Sequence, residues 1–162
     1  MSRRTRTYDW EDPLELLARV AALPGLEALQ AVARGDLPPP PIAQTLGFGP
    51  MEVEKGRATF TVEPAEFHYN PIGVVHGGLA LALLDSAMGC AVHSTLDGGV
   101  AYTTLEVKAN FVRPLTGDTG PVRCTGTVVH RGRTVATAEG RVVDACGKLY
   151  AHGTSTLLIR GN

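Results

Sequence analysis

The chain has 162 residues, of which 15 are Lys or Arg and 16 are Asp or Glu, so its formal net charge is -1. With 44% hydrophobic residues, the composition is ordinary for a globular chain and excludes collagen, extended disorder and a coiled coil. The near-neutral charge argues against nucleic acid as a partner, because phosphate binding requires clustered positive charge.

The cysteines, the histidines and the apolar segments predict a cytoplasmic protein without a bound metal. Cys90, Cys124 and Cys146 are far apart and odd in number, which predicts free thiols in a reducing compartment. The histidines lack the spacing of metal ligands. No apolar signal segment follows the basic N-terminus, and no stretch is long and apolar enough to span a bilayer. We therefore expect no metal and no membrane partner.

The sequence pattern predicts a helical extension and a proline-rich spacer over residues 1–41, ahead of a main domain of residues 42–162. Asp12-Pro13 is typical of a helix start, with Asp as the N-cap and Pro in the first turn. A second short helix is predicted over Leu26–Ala33. The prolines from Pro38 to Pro41 predict an extended polyproline segment.

The order of the predicted elements in the main domain indicates an α+β fold. One strand-like segment, Glu52–Val62, precedes a helix over Leu79–Val92 that is apolar nearly all round and should be buried. Asp97-Gly98-Gly99 resembles a hairpin turn. Four strands joined by short turns then follow, near Leu105–Phe111, Val122–Val129, Thr134–Val143 and Lys148–Ile159. Such strands pair antiparallel, so we expect one long sheet wrapped around the helix.

Asp85 is the only charged residue between Val74 and Leu96, in the middle of the predicted buried helix. Burying an unpaired carboxylate costs free energy, so either another group pairs with Asp85 or a functional site uses it. A carboxylate in this position can serve as a general base or as a nucleophile. The residues alone leave the structural and the functional interpretation open.

His76-Gly77-Gly78 stands where the same helix begins. The free N–H groups of a first helical turn stabilise negative charge, such as that on a carbonyl oxygen in a transition state. Asp85 lies eight residues beyond Gly77, which is about 12 Å along a helix axis. One substrate cannot easily meet both groups in one chain. A two-fold dimer that brings Asp85 of one copy towards Gly77 of the other would solve this.

Three further polar motifs each allow two interpretations. His76 predicts either a structural hydrogen bond at the helix start or a catalytic group. Asn70 precedes a proline and predicts either a loop-forming residue or a polar contact to a substrate. Arg131-Gly132-Arg133 is typical of a solvated hairpin turn, and a phosphate contact is the functional alternative.

The stretch from Asn70 to Gly78, NPIGVVHGG, followed by Asp85, resembles the phenylacetate-pathway (PaaI-like) family of hotdog-fold acyl-CoA thioesterases. The resemblance covers about Ile42–Ile159, and it includes the segments GRTVA at Gly132–Ala136 and AHGT at Ala151–Thr154. An acid nine residues after the His of HGG is a specific combination. The resemblance implies a hotdog fold, in which a curved antiparallel sheet wraps a long central helix.

The resemblance also implies the activity and the assembly. Members of the family hydrolyse an acyl-CoA thioester to a free acid and coenzyme A, without a metal or cofactor. Their subunits pair so that two sheets become continuous, and the dimers often pair again, so we expect at least a homodimer and a homotetramer as the full assembly. Aromatic acyl groups, such as phenylacetyl or hydroxybenzoyl, and medium-chain fatty acyl groups both fit this expectation.

Individual residues receive roles from the same resemblance. The N–H of Gly77 polarises the thioester carbonyl, with help from the side chain of Asn70. Asp85 from the other subunit activates water or attacks the carbonyl directly. A hydroxyl on the following strand holds the water, and counting back from Pro114 places it on Thr104, with Thr103 as the less favoured choice.

The remaining implied contacts lie around this centre. His76 supports the site and its loop, and Gly78 belongs to the substrate-binding surface. Arg131, Gly132 and Arg133 stand where relatives often contact coenzyme A phosphates.

The chain departs from the family pattern in two respects. Its N-terminal extension is longer than the minimal family chain, and its acid is Asp, whereas some related branches use Glu. Two alternative functions remain: a non-catalytic acyl-CoA binder or sensor, and an enoyl-CoA hydratase-like hotdog enzyme. The complete set of Asn70, Gly77, Asp85 and Thr104 favours the thioesterase.

Overall fold

Six antiparallel strands form one sheet in the computed structural model of the protein, which describes residues 2–161. The strands are β1 Phe48–Glu54, β2 Arg57–Val62, β3 Ala101–Phe111, β4 Val122–Arg131, β5 Val135–Asp144 and β6 Leu149–Arg160. Their order across the sheet is β1-β2-β4-β5-β6-β3, so β1 and β3 are the two edges. The helices are α1 Pro13–Val20, α2 Gly25–Arg34, α3 Pro41–Leu46 and α4 Gly77–His93. The predicted α+β arrangement of one sheet around one long helix is confirmed.

Helix α4 is buried on most sides, as its apolar sequence predicts. Leu83, Leu84, Ala87 and Met88 have no solvent exposure, and they pack against the concave face of the sheet. One side of the helix stays partly open. This open stripe consists of Leu81, Ala82, Asp85, Ser86 and Cys90, which recur at the three- and four-residue spacing of one helix face.

Three glycines allow α4 to lie directly against the sheet. Gly126, Gly140 and Gly153 are successive cross-strand partners on β4, β5 and β6, and we call them the glycine row. A Cβ at Gly126 would overlap the backbone of Ala87, and a Cβ at Gly140 would stand 2.9 Å from Leu84 Cδ2. A larger side chain at Gly126 or Gly140 would therefore push the helix away from the sheet, whereas a Cβ at Gly153 would first meet the Lys108 carbonyl of β3, at 2.6 Å.

Both N-terminal helices predicted from the sequence are present. Asp12 accepts a hydrogen bond from the Leu14 N–H at 2.8 Å, which confirms it as the N-cap of α1. Gly35, at a φ of 80°, ends α2 in the left-handed conformation. The predicted polyproline segment is wrong at its end, because Pro41 begins α3 instead of continuing the extended chain. Proline is favourable at the first position of a helix, where its missing N–H costs nothing.

The N-terminal extension is fixed to the main domain by backbone contacts. Gly25 N–H donates to the Leu96 carbonyl at 3.0 Å, and Gly99 N–H donates to the Ala21 carbonyl at 3.0 Å. A Cβ at Gly25 would overlap the carbonyl of His93, so only glycine permits this close approach. These contacts place α2 beside the C-terminal end of α4.

Two predictions for the strands before and after α4 are wrong. The segment Glu52–Val62 is a hairpin rather than one strand, because the chain reverses at Lys55-Gly56, where Gly56 has a φ of 81°. Asp97-Gly98-Gly99 joins α4 to β3 and is not a hairpin turn. The last three predicted strands are confirmed to within two residues at each end.

Strand β3 contains a bulge that changes which side chains face α4. Its pairing with β6 shifts register between Thr104 and Glu106. Leu105, which the alternating pattern places on the apolar face, is therefore 57% exposed, whereas Val107 packs against the core. The bulge keeps Thr104 directed inwards.

Within residues 2–161, no helix combines the length and the apolar character needed to cross a membrane.

Candidate active site

Asp85 lies on the open stripe of α4 and faces strand β3. Thr104 Oγ1 donates a hydrogen bond of 2.9 Å to Asp85 Oδ1. Thr103 points to the opposite side of the strand and is exposed. Of the two hydroxyls that the sequence offers, the structure thus brings Thr104 to the carboxylate. The hydrogen bond also holds the carboxylate in one orientation, with Oδ2 left for another partner.

A cleft of about 220 Å³, which we call the Asp85 cleft, opens beside this pair. Burial, together with the nearby Cys90 and Asp85, raises the pKa of the Tyr102 hydroxyl. Burial also raises the pKa of the Cys90 thiol to about 12, and Asp85 adds to the effect. Tyr102 and Cys90 are therefore uncharged at neutral pH. The carboxylate of Asp85 faces walls without an opposing charge.

The start of α4 presents a free backbone donor. His76 is the N-cap, and its Nδ1 accepts from the Gly78 N–H at 2.8 Å, while the Leu79 N–H donates to the His76 carbonyl. Among residues 2–161, the N–H of Gly77 has no hydrogen-bond partner. Gly77 lines a second cleft of about 360 Å³, the Gly77 cleft, together with Phe111 and Arg113. A first-turn N–H of this kind can bind a developing oxyanion.

The loop before the helix is held by Asn70. Its Oδ1 accepts from the N–H groups of Ile72, at 3.0 Å, and Val74, at 3.4 Å. The loop-forming interpretation of Asn70 is thus realised. The Nδ2 of the same amide makes no hydrogen bond to the described part of the chain, so it can also donate to a ligand.

Next to this loop, a buried histidine links the segment after β2 to the end of α3. His68 Nδ1 accepts from the Ala65 N–H at 3.0 Å, and Nε2 donates to the Leu46 carbonyl at 2.8 Å. Burial lowers the pKa of His68, which keeps this uncharged tautomer. The His68 carbonyl in turn accepts from the His76 N–H at 2.8 Å.

Asp85 and Gly77 do not meet within one chain. The Asp85 cleft and the Gly77 cleft have no lining residue in common. Asp85 lies beside Thr104, whereas Gly77 lies beside the ring of Phe111, at the far end of β3. The geometry agrees with the separation expected from their spacing along the helix.

Arg131, Gly132 and Arg133 lie at the opposite end of the sheet from Gly77. Gly132 N–H donates to the Val135 carbonyl at 2.9 Å, which closes the β4–β5 turn, and both arginines are exposed. This turn contacts the end of β6 that pairs with the beginning of β3, about 33 Å of extended strand away from Phe111. In one chain the turn is therefore brought neither to Gly77 nor to Asn70.

Several cleft residues were not singled out from the sequence. Phe111, Arg113 and Tyr150 line the Gly77 cleft, and Cys90 and Tyr102 line the Asp85 cleft. Of these residues, Arg113 could have been selected from the sequence as a candidate binding residue, since it is a lone cation at a strand end before a proline. The others look like ordinary strand or helix residues, because their contact with a cleft depends on the tertiary fold.

No cluster of three or more His, Cys, Asp or Glu side chains suited to a metal ion occurs in the part of the chain that the structure describes.

Comparison with known proteins identifies the family. Residues 72–151 match the family model of the thioesterase superfamily. The 1,4-dihydroxy-2-naphthoyl-CoA hydrolase of Listeria monocytogenes is 25% identical over 119 residues, which cover 74% of this chain and 95% of that protein. A candidate esterase of Saccharolobus solfataricus is 35% identical over 101 residues, covering 62% of this chain and 70% of that protein.

A solved structure extends the similarity to the fold. A candidate thioesterase from Ralstonia eutropha, related to phenylacetic acid degradation, aligns with a TM-score of 0.71 and 30% identity over 80% of this chain and 97% of that chain. The predicted hotdog fold and the resemblance to PaaI-like thioesterases are both confirmed. The chain belongs to the thioesterase superfamily and is a hotdog-fold thioester hydrolase.

Proposed function

We propose that the protein hydrolyses acyl-CoA thioesters at a site formed by Gly77 of one subunit and Asp85 of the partner subunit. One observation carries this proposal: the only charged side chain on the open stripe of α4 is Asp85, oriented by Thr104 and facing an uncharged cleft. Asp85 is half-buried, and the group that it accepts a hydrogen bond from is the neutral Thr104 rather than a cation. Within residues 2–161, the salt bridges do not include Asp85.

The position of β3 at the edge of the sheet is evidence for the proposed dimer. Its outer edge is unpaired in one chain, and a second copy added antiparallel across a two-fold axis would make the two sheets continuous. Such pairing exchanges the ends of the strand, so that Thr104 of the partner subunit approaches Phe111 of the first. Asp85 is thereby brought towards Gly77. Dimers of this kind pair again into the proposed homotetramer.

The chemistry follows from the two groups. The Gly77 N–H and the Asn70 amide donate to the thioester oxygen, which gains negative charge as the tetrahedral state forms. In one route, Asp85 takes a proton from a water held with Thr104, and the hydroxide adds to the carbonyl carbon. In the other route, a carboxylate oxygen of Asp85 adds to that carbon, and water later cleaves the anhydride. In both routes the tetrahedral state collapses and the C–S bond breaks: in the first, Asp85 returns its proton to the leaving sulfur, and in the second, the sulfur leaves as a thiolate that takes a proton from water.

The relatives and the charges support a coenzyme A ester with an aromatic or medium-chain acyl group. The Listeria relative is named for an aromatic acyl-CoA. In the antiparallel dimer, the arginine turn at Arg131–Arg133 of the partner subunit lies at the same end as Gly77, where it can contact the coenzyme A phosphates. His76 and Gly78 hold the loop against which the thioester lies. The free cysteines Cys90, Cys124 and Cys146 favour the cytoplasm.

Thiol release from a panel of acyl-CoAs tests the proposal. We expect Asp85→Asn to lower kcat at least a hundredfold with the fold intact, because the general base or nucleophile is lost. Asp85→Ala is measured beside it, since Asn can deamidate back to Asp. Asp97→Asn, an exposed acid after the same helix, is the matched control and should keep its activity. A folded Asp85→Ala protein with wild-type turnover would exclude the mechanism.

A further inference from the structure

The N-terminal extension and the main domain line an apolar cleft that lies next to the Asp85 cleft. This extension cleft has a volume of about 400 Å³. It shares five lining residues with the Asp85 cleft: Pro40, Ala43, Phe48, Phe60 and Cys90. The two clefts therefore lie side by side, with these five residues as their common wall.

The lining residues of the two clefts run from Asp85 along α4 and then onto α2. Cys90 lies five residues after Asp85, about 7.5 Å further along the helix. The part of the extension cleft that is not shared with the Asp85 cleft, which we call its far end, is lined mainly by α2 and the segment after it, including Leu29, Val32 and Leu37. Asp85 lines only the first cleft and α2 lines only the second, so an occupant that filled both would have to be elongated.

The chemistry of the walls selects an apolar occupant. The rings of Phe48 and Phe60 stand 5.8 Å apart and form one side. Cys90 contributes a protonated thiol, because burial raises its pKa to about 12. The one charged residue that lines the extension cleft is Glu11, which is exposed. A carboxylate at that position disfavours an occupant with a negative charge at its far end.

We infer that the N-terminal extension forms the distal half of the acyl pocket, and that Val32 sets the length of the acyl chain the enzyme accepts. The inference rests on the proposed acyl-CoA thioesterase function and names its substrate class: elongated, uncharged apolar acyl groups that reach past Cys90. Compact acyl groups fill the Asp85 cleft alone. The backbone hydrogen bonds of Gly25 and Gly99 hold the extension in place, so it is a permanent wall of this pocket.

Chain-length dependence of thiol release provides the test, with butyryl-, octanoyl- and dodecanoyl-CoA as substrates. Each methylene that enters an apolar cleft is expected to raise kcat/KM about fourfold, until the cleft is full. Val32→Phe fills the far end, and we expect the ratio of kcat/KM for dodecanoyl- over butyryl-CoA to fall at least tenfold. Val32→Ala enlarges the far end and should raise the same ratio.

Glu27→Phe is the matched control, because it places the same side chain on the exposed side of the same helix. It should leave the ratio as in the wild type. An unchanged ratio in both Val32 variants, or an equal loss for all three substrates, overturns the inference while the wild-type turnover stands. A wild type that hydrolyses aromatic acyl-CoAs but none of these three substrates also overturns the inference, whereas a wild type that releases thiol from neither aromatic nor aliphatic acyl-CoAs overturns the proposed function itself.

Discussion

Thr104 on the edge strand β3 donates its hydroxyl hydrogen to Oδ1 of Asp85 on the central helix, across 2.9 Å. The bond joins the two elements that a dimer would place at its centre. It exists because the bulge after Thr104 turns Leu105 outwards and keeps the threonine inwards. The carboxylate is thus oriented from outside its own helix, by a residue 19 positions further along the chain.

Removal of this hydroxyl should reduce turnover more than stability. Thr104→Val keeps the shape of the side chain but leaves Asp85 without its donor, and a hydrogen bond to a charged group is worth about 1.5–3 kcal/mol. We expect kcat to fall about tenfold or more. Thr103→Val, one residue earlier and exposed, is the control and should stay within about twofold of the wild type. Equal effects of the two substitutions would contradict the assigned role.

The N–H of Gly77 can be removed without breaking the helix. Gly77→Pro places proline at the first helical position, where it is well tolerated, and His76 already has the extended ψ of 133° that a following proline requires. The loss of one oxyanion donor is expected to lower kcat about 10²–10³-fold. Gly77→Ala retains the N–H, and its Cβ would meet the Phe111 ring at an ordinary 3.4 Å. Gly77→Ala should therefore be the more active variant in steady-state kinetics.

Mixing the two defects tests whether the site is shared between subunits. Asp85→Ala and Gly77→Pro chains, co-expressed in equal amounts, should assort randomly into dimers. Half of these are mixed, and each mixed dimer has one intact site of two, so about a quarter of the wild-type activity should return. Each variant expressed alone sets the baseline. A mixture that stays at that baseline while mixed dimers are present would place both groups in the same chain's site.

The buried His68 and the half-buried His93 should make the fold less stable in mild acid. Burial lowers the pKa of both His68 and His93 below the usual value of 6.5. Below pH 6.5 the unfolded chain therefore binds protons that the folded chain does not, so the free energy of unfolding should fall as the pH drops. Their stabilising effect is fully present above pH 6.5. Urea unfolding at pH 7.5 and 5.5 measures the change, and His68→Gln or His93→Gln should reduce it. Equal stability at both pH values would contradict the prediction.

The sequence indicated the central helix and Asp85 because both depend on local features. A long apolar segment with one charge is visible without any knowledge of the fold. The β1–β2 hairpin was missed, because Lys55-Gly56 is a single weak turn signal inside a segment of otherwise strand-like residues. The Leu105 bulge was missed for a related reason, since the alternation of apolar and polar residues continues through it. Register depends on the partner strand, which the local pattern does not show.

The choice between Thr103 and Thr104 also depends on strand register, which the local sequence pattern does not show. Counting along the strand favoured Thr104, but the inward direction of its hydroxyl depends on the bulge. The Asp85 and extension clefts could not be predicted at all. Their walls come from α2, α3, β1 and α4, which are brought together only by tertiary contacts.

The glycine row has a consequence for how such an enzyme can diversify. Because Gly126, Gly140 and Gly153 leave no space between α4 and the sheet, mutation on that side cannot enlarge a pocket without displacing the helix that carries Asp85. The opposite side has no such constraint. Part of the wall there belongs to a short N-terminal segment whose residues can be exchanged while the catalytic scaffold stays as it is. Selection for a new substrate should therefore act first on the extension, and a laboratory library confined to its cleft-lining positions should alter specificity with little loss of foldable variants.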